Sequence, residues 1–421
     1  MASEARHRFG FSWHRFNPKA PSPLRSAGAL QMSAHLVNAH RDLCNYCRAH
    51  DFAGYDPYDG LNSGLFQSTA LKDSRFARLA CTQFFKRSPV NFRRLVGVPR
   101  ERNAKGIALF ALAAVAAFRR TQTKEAEIEA RELLDDLIGM SLKGFKGACW
   151  GYNFDWQSRS FFVPKGTPTI VPTAFAARVL CEAAEVIDAP AYLPYARTIC
   201  DFILNDLNRT ADASDEVCFS YSPLDHTRVY NASLMAAEVL GTVGGVLREK
   251  SLCDMALRAA RYVIRRQQAD GAWIYGADGH QTWSDNFHTA FILTSLSRLI
   301  ENCGASDELG PALARGYEFW KERFFLSNGW PKYYPDRLYP ADVHSAAAAI
   351  VALVELRGRF PATLDLAEQI ATWTIENLRS PHGYFYYQRK RFYTNRIEYM
   401  RWSQAWMSYA LARLMEGKSK K

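Results

Sequence analysis

Six helix-like apolar segments recur along the 421-residue chain, and each begins at a short polar or aromatic opening. The steps from one opening to the next are 70, 58, 57, 56 and 60 residues. Such even spacing indicates a repeat array. A step of this length accommodates two helices of ordinary length and two loops. The six openings are counted from Asn103, Thr173, Asn231, His288, His344 and Gln404.

A second signal recurs in phase with the first. Five segments just ahead of the helix openings are rich in aromatic residues, and all but the second begin with glycine. Glycine lets the chain turn out of a helix. The aromatic side chains either pack as wedges between helices, which is the commoner role, or form platforms for sugar rings. These segments are residues 147–152, 217–221, 271–275, 329–333 and 383–387.

The repeats predict six helix pairs. Six helices rich in small apolar residues have the composition expected of helices surrounded by other helices; they are predicted near residues 104–121, 171–187, 229–248, 286–303, 342–358 and 401–416. Their outer partners are predicted near residues 27–50, 124–142, 189–207, 249–269, 306–323 and 361–378. Period-two alternation is nearly absent, so long strands are not expected. The sequence therefore predicts an all-α fold, an (α/α)6 toroid of six helical hairpins in a single domain.

We expect a flexible N-terminal segment at residues 1–26, the toroid at 27–416 and a short basic tail at 417–421. The longest uniformly apolar run, residues 107–118, is too short to span a bilayer. The first twenty residues lack the apolar stretch of a secretory signal. The nine cysteines are scattered and odd in number, as in reduced proteins. These features predict a cytoplasmic protein without an integral membrane segment.

The formal charge of +11 indicates either an acidic partner or simply a basic surface. The basic residues concentrate near the chain ends and not along one helix face, so a nucleic acid partner is not expected. The basic, tyrosine-containing loop at residues 388–396 fits an anionic polysaccharide or oligosaccharide better. His40, Cys44, Cys47 and His50 lie along one helical stripe, which cannot surround a tetrahedral ion. Neither a metal nor another cofactor is expected.

In a helical toroid the loops before the inner helices converge on one mouth, where helix N-termini offer free N–H groups. His288 and His344 open successive inner helices in what we interpret as equivalent positions, each preceded by an aspartate, Asp285 or Asp342. Paired histidines with acidic neighbours favour acid–base chemistry, although helical histidines are often structural. We predict catalytic roles for His288, His344 and Asp342.

The last loop adds arginine and tyrosine side chains. Arginine binds a carboxylate bidentately, and neutralising a uronate carboxylate makes its C5 proton more acidic. A histidine or a tyrosine, here Tyr393, can then move that proton. This combination favours a uronate lyase or C5-epimerase, although a solvated basic loop would have the same composition. Substrate binding is assigned to Asn153, Asp155, Trp273, Trp283, Asn286, Arg389, Arg396 and Arg401.

Two other functions stay open. An inverting glycoside hydrolase needs two carboxylates across the scissile bond, but aspartates in such loops more often cap helices or turns. The toroid would otherwise serve as a non-catalytic glycan-binding scaffold of an assembly complex. The carboxylate candidates are Asp56, Asp59, Asp155, Asp225, Asp278, Asp285, Asp336 and Asp342.

The repeat pattern with its glycine–aromatic loops resembles the six-hairpin glycosidases and related (α/α)6 toroid proteins over residues 27–416. Segments 153–156, 163–169 and 392–406 are similar to Vps-type proteins of bacterial exopolysaccharide gene clusters, which implies a role in making or trimming a secreted polysaccharide. Residues 285–288 resemble the Asn-Asn-His element of toroidal polysaccharide lyases, with Phe287 interrupting it; the resemblance implies that Asn286 neutralises the uronate and His288 transfers a proton. Residues 268–273 match a motif of terpene cyclases, but the acidic initiator motif of those enzymes is absent.

Overall fold

The computed structural model describes residues 23–158 and 161–419. The inner helices are α4 (Ala104–Thr121), α6 (Ile170–Val186), α8 (Tyr230–Leu247), α10 (Asn286–Cys303), α12 (Val343–Glu355) and α14 (Trp406–Ser419). The outer helices are α1 (Pro23–Ala49), α5 (Lys124–Gly139), α7 (Tyr192–Asn205), α9 (Lys250–Ile264), α11 (Ser306–Phe324) and α13 (Thr363–Leu378). These bounds agree closely with the predicted helix pairs.

The inner helices form a closed ring. Each contacts the next along the chain, and α14 returns to contact α4. Five outer helices pack on the inner helix that precedes them, whereas α1 packs on α14 and supplies the sixth outer position from the other end of the chain. The predicted all-α (α/α)6 toroid is therefore confirmed.

Three of the helix openings contain side-chain caps that begin inner helices. The side chain of Asn103 accepts hydrogen bonds from the first-turn N–H groups of α4, and Asp285 and Asp342 do the same for α10 and α12. Capping satisfies N–H groups that have no partner within the helix. The start of α14 differs, because a π-helical turn at Met400–Ala405 precedes it.

The tryptophans of two glycine–aromatic segments are packing wedges. Trp150 and Trp273 are buried, and each indole N–H donates to a carbonyl of the preceding outer helix, at 2.7 Å and 3.0 Å. Gly147 lies so close to α7 that a Cβ there would approach the carbonyl oxygen of Thr198 to 1.8 Å. Glycine thus brings the loop against the next hairpin.

Short antiparallel strands, which the sequence analysis did not predict, stiffen the loops at the mouth. They pair as β1 with β2, β3 with β4, and β5-β6-β7 in that order. The longest has four residues. The strands are β1 (Trp156–Gln157), β2 (Phe162–Val163), β3 (Arg209–Asp212), β4 (Val217–Phe219), β5 (Ala341–Asp342), β6 (Gln388–Arg389) and β7 (Thr394–Asn395).

Two further helices, α2 (Gly64–Gln67) and α3 (Arg75–Arg87), lie between α1 and α4. Helix α1 begins at Pro23, inside the segment predicted to be flexible, and residues 1–22 lie outside the described part of the chain. The predicted basic tail begins within α14, and residues 420–421 also lie outside the described part. Within the described residues, none of the helices has the length and apolar character that a bilayer crossing requires.

An arginine–glutamate network crosses the ring between the middle of the inner helices and their C-terminal ends. Arg178 and Glu238 form a buried bidentate pair, and Arg298 contacts Glu182 and Glu355 at 2.9 Å and 3.1 Å. Arg119 and Arg413 extend the network to Glu416 on α14. All six inner helices contribute to it.

Candidate functional site

A cavity of about 410 Å³ opens at the N-terminal end of the inner helices. The second residue of α4, α6, α8, α10 and α12 faces this cavity, as does the second residue of the π-helical turn that begins the sixth inner helix. We call these six positions the inner ring. They are Lys105, Val171, Asn231, Phe287, His344 and Arg401.

The inner ring corrects one sequence-based prediction. His288 and His344 are not equivalent, because His344 is the second residue of α12 and the second residue of α10 is Phe287. One residue turns a helical side chain by about 100°. Both histidines line the cavity, but their rings lie in different surroundings.

The ring of His288 is oriented by Asp285. Asp285 Oδ2 lies 2.7 Å from His288 Nδ1 and accepts the Trp283 indole N–H at 3.1 Å, while Oδ1 accepts the backbone N–H of His288. Asp285 is buried, whereas 22% of the His288 side chain is exposed. With the Nδ1 proton held by the carboxylate, Nε2 carries the lone pair. This is the arrangement of an oriented general base.

His344 lies deeper. Its ring stacks on Trp402 with centroids 4.2 Å apart and meets Phe287 edge-on at 4.5 Å. The residue is 1% exposed, and neither ring nitrogen has a hydrogen-bond partner among the described residues. Burial, together with the nearby charges of Lys105 and Arg401, holds the pKa of His344 well below its usual range. His344 is therefore neutral near pH 7.

Five tyrosines from the glycine–aromatic segments form part of the aromatic wall of the cavity. Each is the last residue of one glycine–aromatic segment, and two of these segments also place the buried wedges Trp150 and Trp273 in the core. The Tyr152 and Tyr221 hydroxyls lie 3.3 Å apart. Burial raises the pKa of these phenols, which keeps them protonated. The five are Tyr152, Tyr221, Tyr275, Tyr333 and Tyr387.

The cavity lining is cationic. Among the described residues, the lining contains five lysine and arginine side chains but a single carboxylate, that of Asp285. Arg401 is held in place by a bidentate ion pair, because its guanidinium binds both oxygens of Asp56, at 2.6 Å and 2.8 Å. An anionic ligand suits such a lining. The basic residues are Lys86, Arg87, Lys105, Lys390 and Arg401.

Several predicted site residues have structural partners instead. Asp342, predicted to be catalytic, is fully buried; it caps α12 and accepts from Gln388 and from Trp402 Nε1 at 3.2 Å. Asn286 is also fully buried, with its amide bonded to Lys332 O and to the Trp320 indole. Neither residue lines the cavity.

The loop residues predicted to bind substrate are dispersed. Asn153 contacts Asn103 and Glu101, and Asp155 accepts from Gln67 at 3.2 Å and from the Lys165 N–H at 2.7 Å; both lie beside the cavity and not in its wall. Trp273 is a wedge, whereas Trp283 does line the cavity. The remaining predicted residues lie on the loop at residues 388–396 and do not line the cavity; they are Arg389, Tyr393 and Arg396.

The remaining aspartates considered for hydrolysis do not form a pair across the cavity. Asp59 binds buried Arg93 at 2.6 Å, and Asp225 accepts from the hydroxyls of Ser222 and Thr227. Asp278 and Asp336 pair with arginines outside the cavity lining. Their turn and ion-pair roles explain why aspartates recur in these loops.

Three basic residues of the cavity lie outside the segments to which the sequence analysis assigned a binding role. Lys105 follows Asn103 at the start of α4 but was not assigned a role, although an isolated lysine in an apolar run is a usable signal. The other two, Lys86 and Arg87, come from α3, which lies outside the repeats. Nothing in the repeat pattern places α3 at the mouth.

The (α/α)6 toroid fold of this chain is similar to those of several solved carbohydrate-processing enzymes. A cellobiose 2-epimerase from Bacillus thermoamylovorans B4167 is similar with a TM-score of 0.60 and 13% sequence identity, over 76% of this chain and 88% of the epimerase. An unsaturated glucuronyl hydrolase specific for heparin is similar with a TM-score of 0.60 and 12% identity, over 92% and 97% of the two chains. A D-mannose isomerase is similar with a TM-score of 0.56 and 12% sequence identity, over 74% of this chain and 86% of the isomerase.

No protein-family model matches this chain, and no curated protein sequence matches it. At such low identities the structural likeness shows the fold alone. The activity must be argued from the cavity itself.

Proposed function

We propose that this protein is a carbohydrate-active enzyme that removes a proton from carbon in an anionic sugar, as a uronate lyase or C5-epimerase does. The observation that carries the proposal is the buried Asp285 carboxylate fixing the exposed His288 ring in a cationic, tyrosine-lined cavity. Tyrosine faces and hydroxyls suit a sugar ring. The similarity of the fold to sugar epimerases and a glucuronyl hydrolase agrees with this substrate class.

His288 is the base in this proposal. Its Nε2 accepts the C5 proton, and Asp285 stabilises the imidazolium that results. The electron pair left at C5 delocalises into the uronate carboxylate, whose negative charge the cationic lining neutralises. In a lyase the electron pair at C5 forms a C4=C5 double bond, the C4–O4 bond breaks with its own electron pair going to O4, and O4 takes up a proton; in an epimerase C5 is reprotonated from the opposite face.

The protonated tyrosines complete the scheme. Because their pKa values are raised by burial, they act as donors and not as bases. A phenol such as that of Tyr275, which contacts the His288 ring at 4.7 Å between centroids, can donate to O4 or to C5. His344 is neutral and buried, so we assign it to shaping the cavity.

The alternative of hydrolysis by two carboxylates has less support. Inverting enzymes hold two carboxyl groups about 6.5–9.5 Å apart around the scissile bond. Among the described residues that line the cavity, Asp285 supplies the only carboxylate, and it is already bonded to His288 and Trp283.

The test is product analysis by proton NMR after incubation of the purified protein with a panel of uronate-containing polymers. New olefinic signals are expected from a lyase, and inverted C5 configuration from an epimerase. New reducing ends with neither change would overturn the proposal in favour of hydrolysis. A panel that is bound but unchanged would favour the glycan-binding scaffold.

Following the sequence resemblance, we place this activity in the synthesis or modification of a bacterial exopolysaccharide, in the cytoplasm and in association with an assembly complex. The resemblance of segments 153–156, 163–169 and 392–406 to Vps-type proteins supports this setting. Deletion of the gene in its native host is expected to change the uronate content or chain length of the secreted polysaccharide.

A further inference from the structure

Three inner-ring side chains are polar and unsatisfied. Asn231 Oδ1 and both ring nitrogens of His344 are buried without a hydrogen-bond partner among the described residues, and these residues are 3% and 1% exposed. Lys105, 3% exposed, forms no hydrogen bond or ion pair through its amine within the same part of the chain. Buried polar groups normally have partners. A ligand in the cavity would supply the missing ones.

Lys105 is the most unusual of the three. Its Nζ lies over the rings of Phe175, Trp406 and Phe291, at 4.8 Å, 5.2 Å and 5.4 Å from their centroids. An ammonium group gains from aromatic faces, but a buried ammonium group without a counter-ion carries a large desolvation cost. The neighbouring cation, Arg401, already has its counter-ion in Asp56.

We propose that Lys105 binds the carboxylate of the substrate and takes up a proton as it does so. The inference rests on the proposed function for its substrate class and adds the residue that recognises the anionic group. A carboxylate at Lys105 would provide the absent counter-ion, and sugar hydroxyls would meet Asn231 and His344.

The charges around Lys105 explain the proton uptake. Burial, then Arg401 and Arg178, lower its pKa well below the usual range, and Asp56 offsets only part of that effect. His344 also faces this region and is neutral. The empty site thus favours the unprotonated amine, and an arriving carboxylate raises the pKa of Lys105 so that the amine becomes charged.

Titration calorimetry tests the proposal with D-glucuronate and its neutral isostere D-glucuronamide. At a fixed pH near 7, buffers with different ionisation enthalpies report the protons exchanged on binding. We expect the wild-type protein to bind glucuronate at least tenfold more tightly than glucuronamide and to take up close to one proton per glucuronate. Lys105→Met should remove both the preference and the uptake.

Lys105→Arg is the conservative variant, because it keeps a permanent cation. It should retain the preference for glucuronate without proton uptake. Lys321→Met, on the exposed face of α11, is the matched control and should behave as the wild type. A thermal melt of each variant identifies loss of folding; if Lys105→Met does not fold, the arginine variant carries the test.

Wild-type affinities that do not differ between acid and amide, or proton uptake that persists in Lys105→Arg, would overturn the inference. Tighter binding of glucose 6-phosphate than of glucuronate would overturn the carboxylate assignment in favour of a sugar phosphate. C5 chemistry that survives in Lys105→Met with an unchanged KM would reject Lys105 while leaving the proposed function intact.

Discussion

At the scale of single residues, the two cavity histidines differ by one position in their helices, and their chemistry differs accordingly. His288 is held by Asp285 and is partly exposed, whereas His344 is buried between aromatic rings with unpaired nitrogens. Only His288 combines an orienting carboxylate with access to the cavity. We therefore expect the proton-transfer role to belong to His288 alone.

The sequence predicted some of these residues and missed others for identifiable reasons. His288, His344, Trp283 and Arg401 were predicted and line the cavity, because helix openings indicate which end of a helix faces the mouth. Asp342 was predicted to be catalytic, but it caps α12 and does not line the cavity, and a capping aspartate and a catalytic one look alike in sequence. The burial of a side chain and its partners are set by packing, which one sequence does not specify.

At the scale of helices and loops, glycine permits both a positive φ value and the close approach of a loop to a helix. Two variants separate these contributions. Gly271 and Gly144 have similar φ values, 93° and 89°. A Cβ at Gly271 would lie 2.5 Å from the carbonyl oxygen of Arg315, whereas no atom lies within 4 Å of a Cβ at Gly144. Gly144→Ala should therefore cost only the backbone strain, about 1–2 kcal/mol of unfolding free energy.

Gly271→Ala should cost about 1–3 kcal/mol more than Gly144→Ala, because the loop must also move away from α11. Urea unfolding of the two variants measures the difference. Equal losses of stability would show that the close approach of the loop to Arg315 does not stabilise the fold.

Helix positions were predictable because apolar periodicity and openings recur six times. The short strands were not predictable, because strands such as β5, β6 and β7 have only two residues each. Strand β5 also pairs with β6 from a loop distant in sequence. Helix α3 was missed for a related reason, since it lies outside the repeats yet supplies Lys86 and Arg87 to the cavity.

At the scale of the whole molecule, the arginine–glutamate network joins all six inner helices below the cavity, from the middle of α6 and α8 to the C-terminal end of α14. Burial raises the pKa of Glu182, but Arg298, Arg413 and Arg119 outweigh burial and lower it to about 2. A carboxylate with a folded-state pKa below its unfolded value stabilises the protein above the unfolded pKa, and this stability is lost as pH falls through the folded pKa.

We therefore expect the unfolding free energy to decrease as pH falls from about 4.5 to 2, with Glu182 accounting for about 3 kcal/mol of the decrease. Glu182→Gln should be less stable than the wild type at pH 7 and should lose less stability on acidification. Glu318→Gln, in a half-exposed pair with Lys321, is the control and should follow the wild-type pH dependence. Parallel pH profiles for Glu182→Gln and wild type would contradict this account of the network.

Closure of the ring could be predicted from the number of repeats, since six hairpins complete a toroid and the sequence contains six inner segments. The network was not predictable, because the sequence does not show which arginine meets which glutamate. Arg178 and Glu238, for instance, lie within long apolar helices, and only the closed ring brings them together.

The measurement that tests the central claim most directly is deuterium incorporation at C5 of a uronate substrate in heavy water, followed by NMR. Wild-type protein and the control His226→Gln, an exposed histidine outside the cavity lining, should incorporate deuterium at the same rate. His288→Gln should reduce the rate by at least 100-fold while keeping the wild-type unfolding free energy within about 1 kcal/mol. Incorporation by His288→Gln at the wild-type rate, or no exchange at C5 by the wild-type protein on any uronate polymer of the panel, would contradict the assignment of His288 as the base.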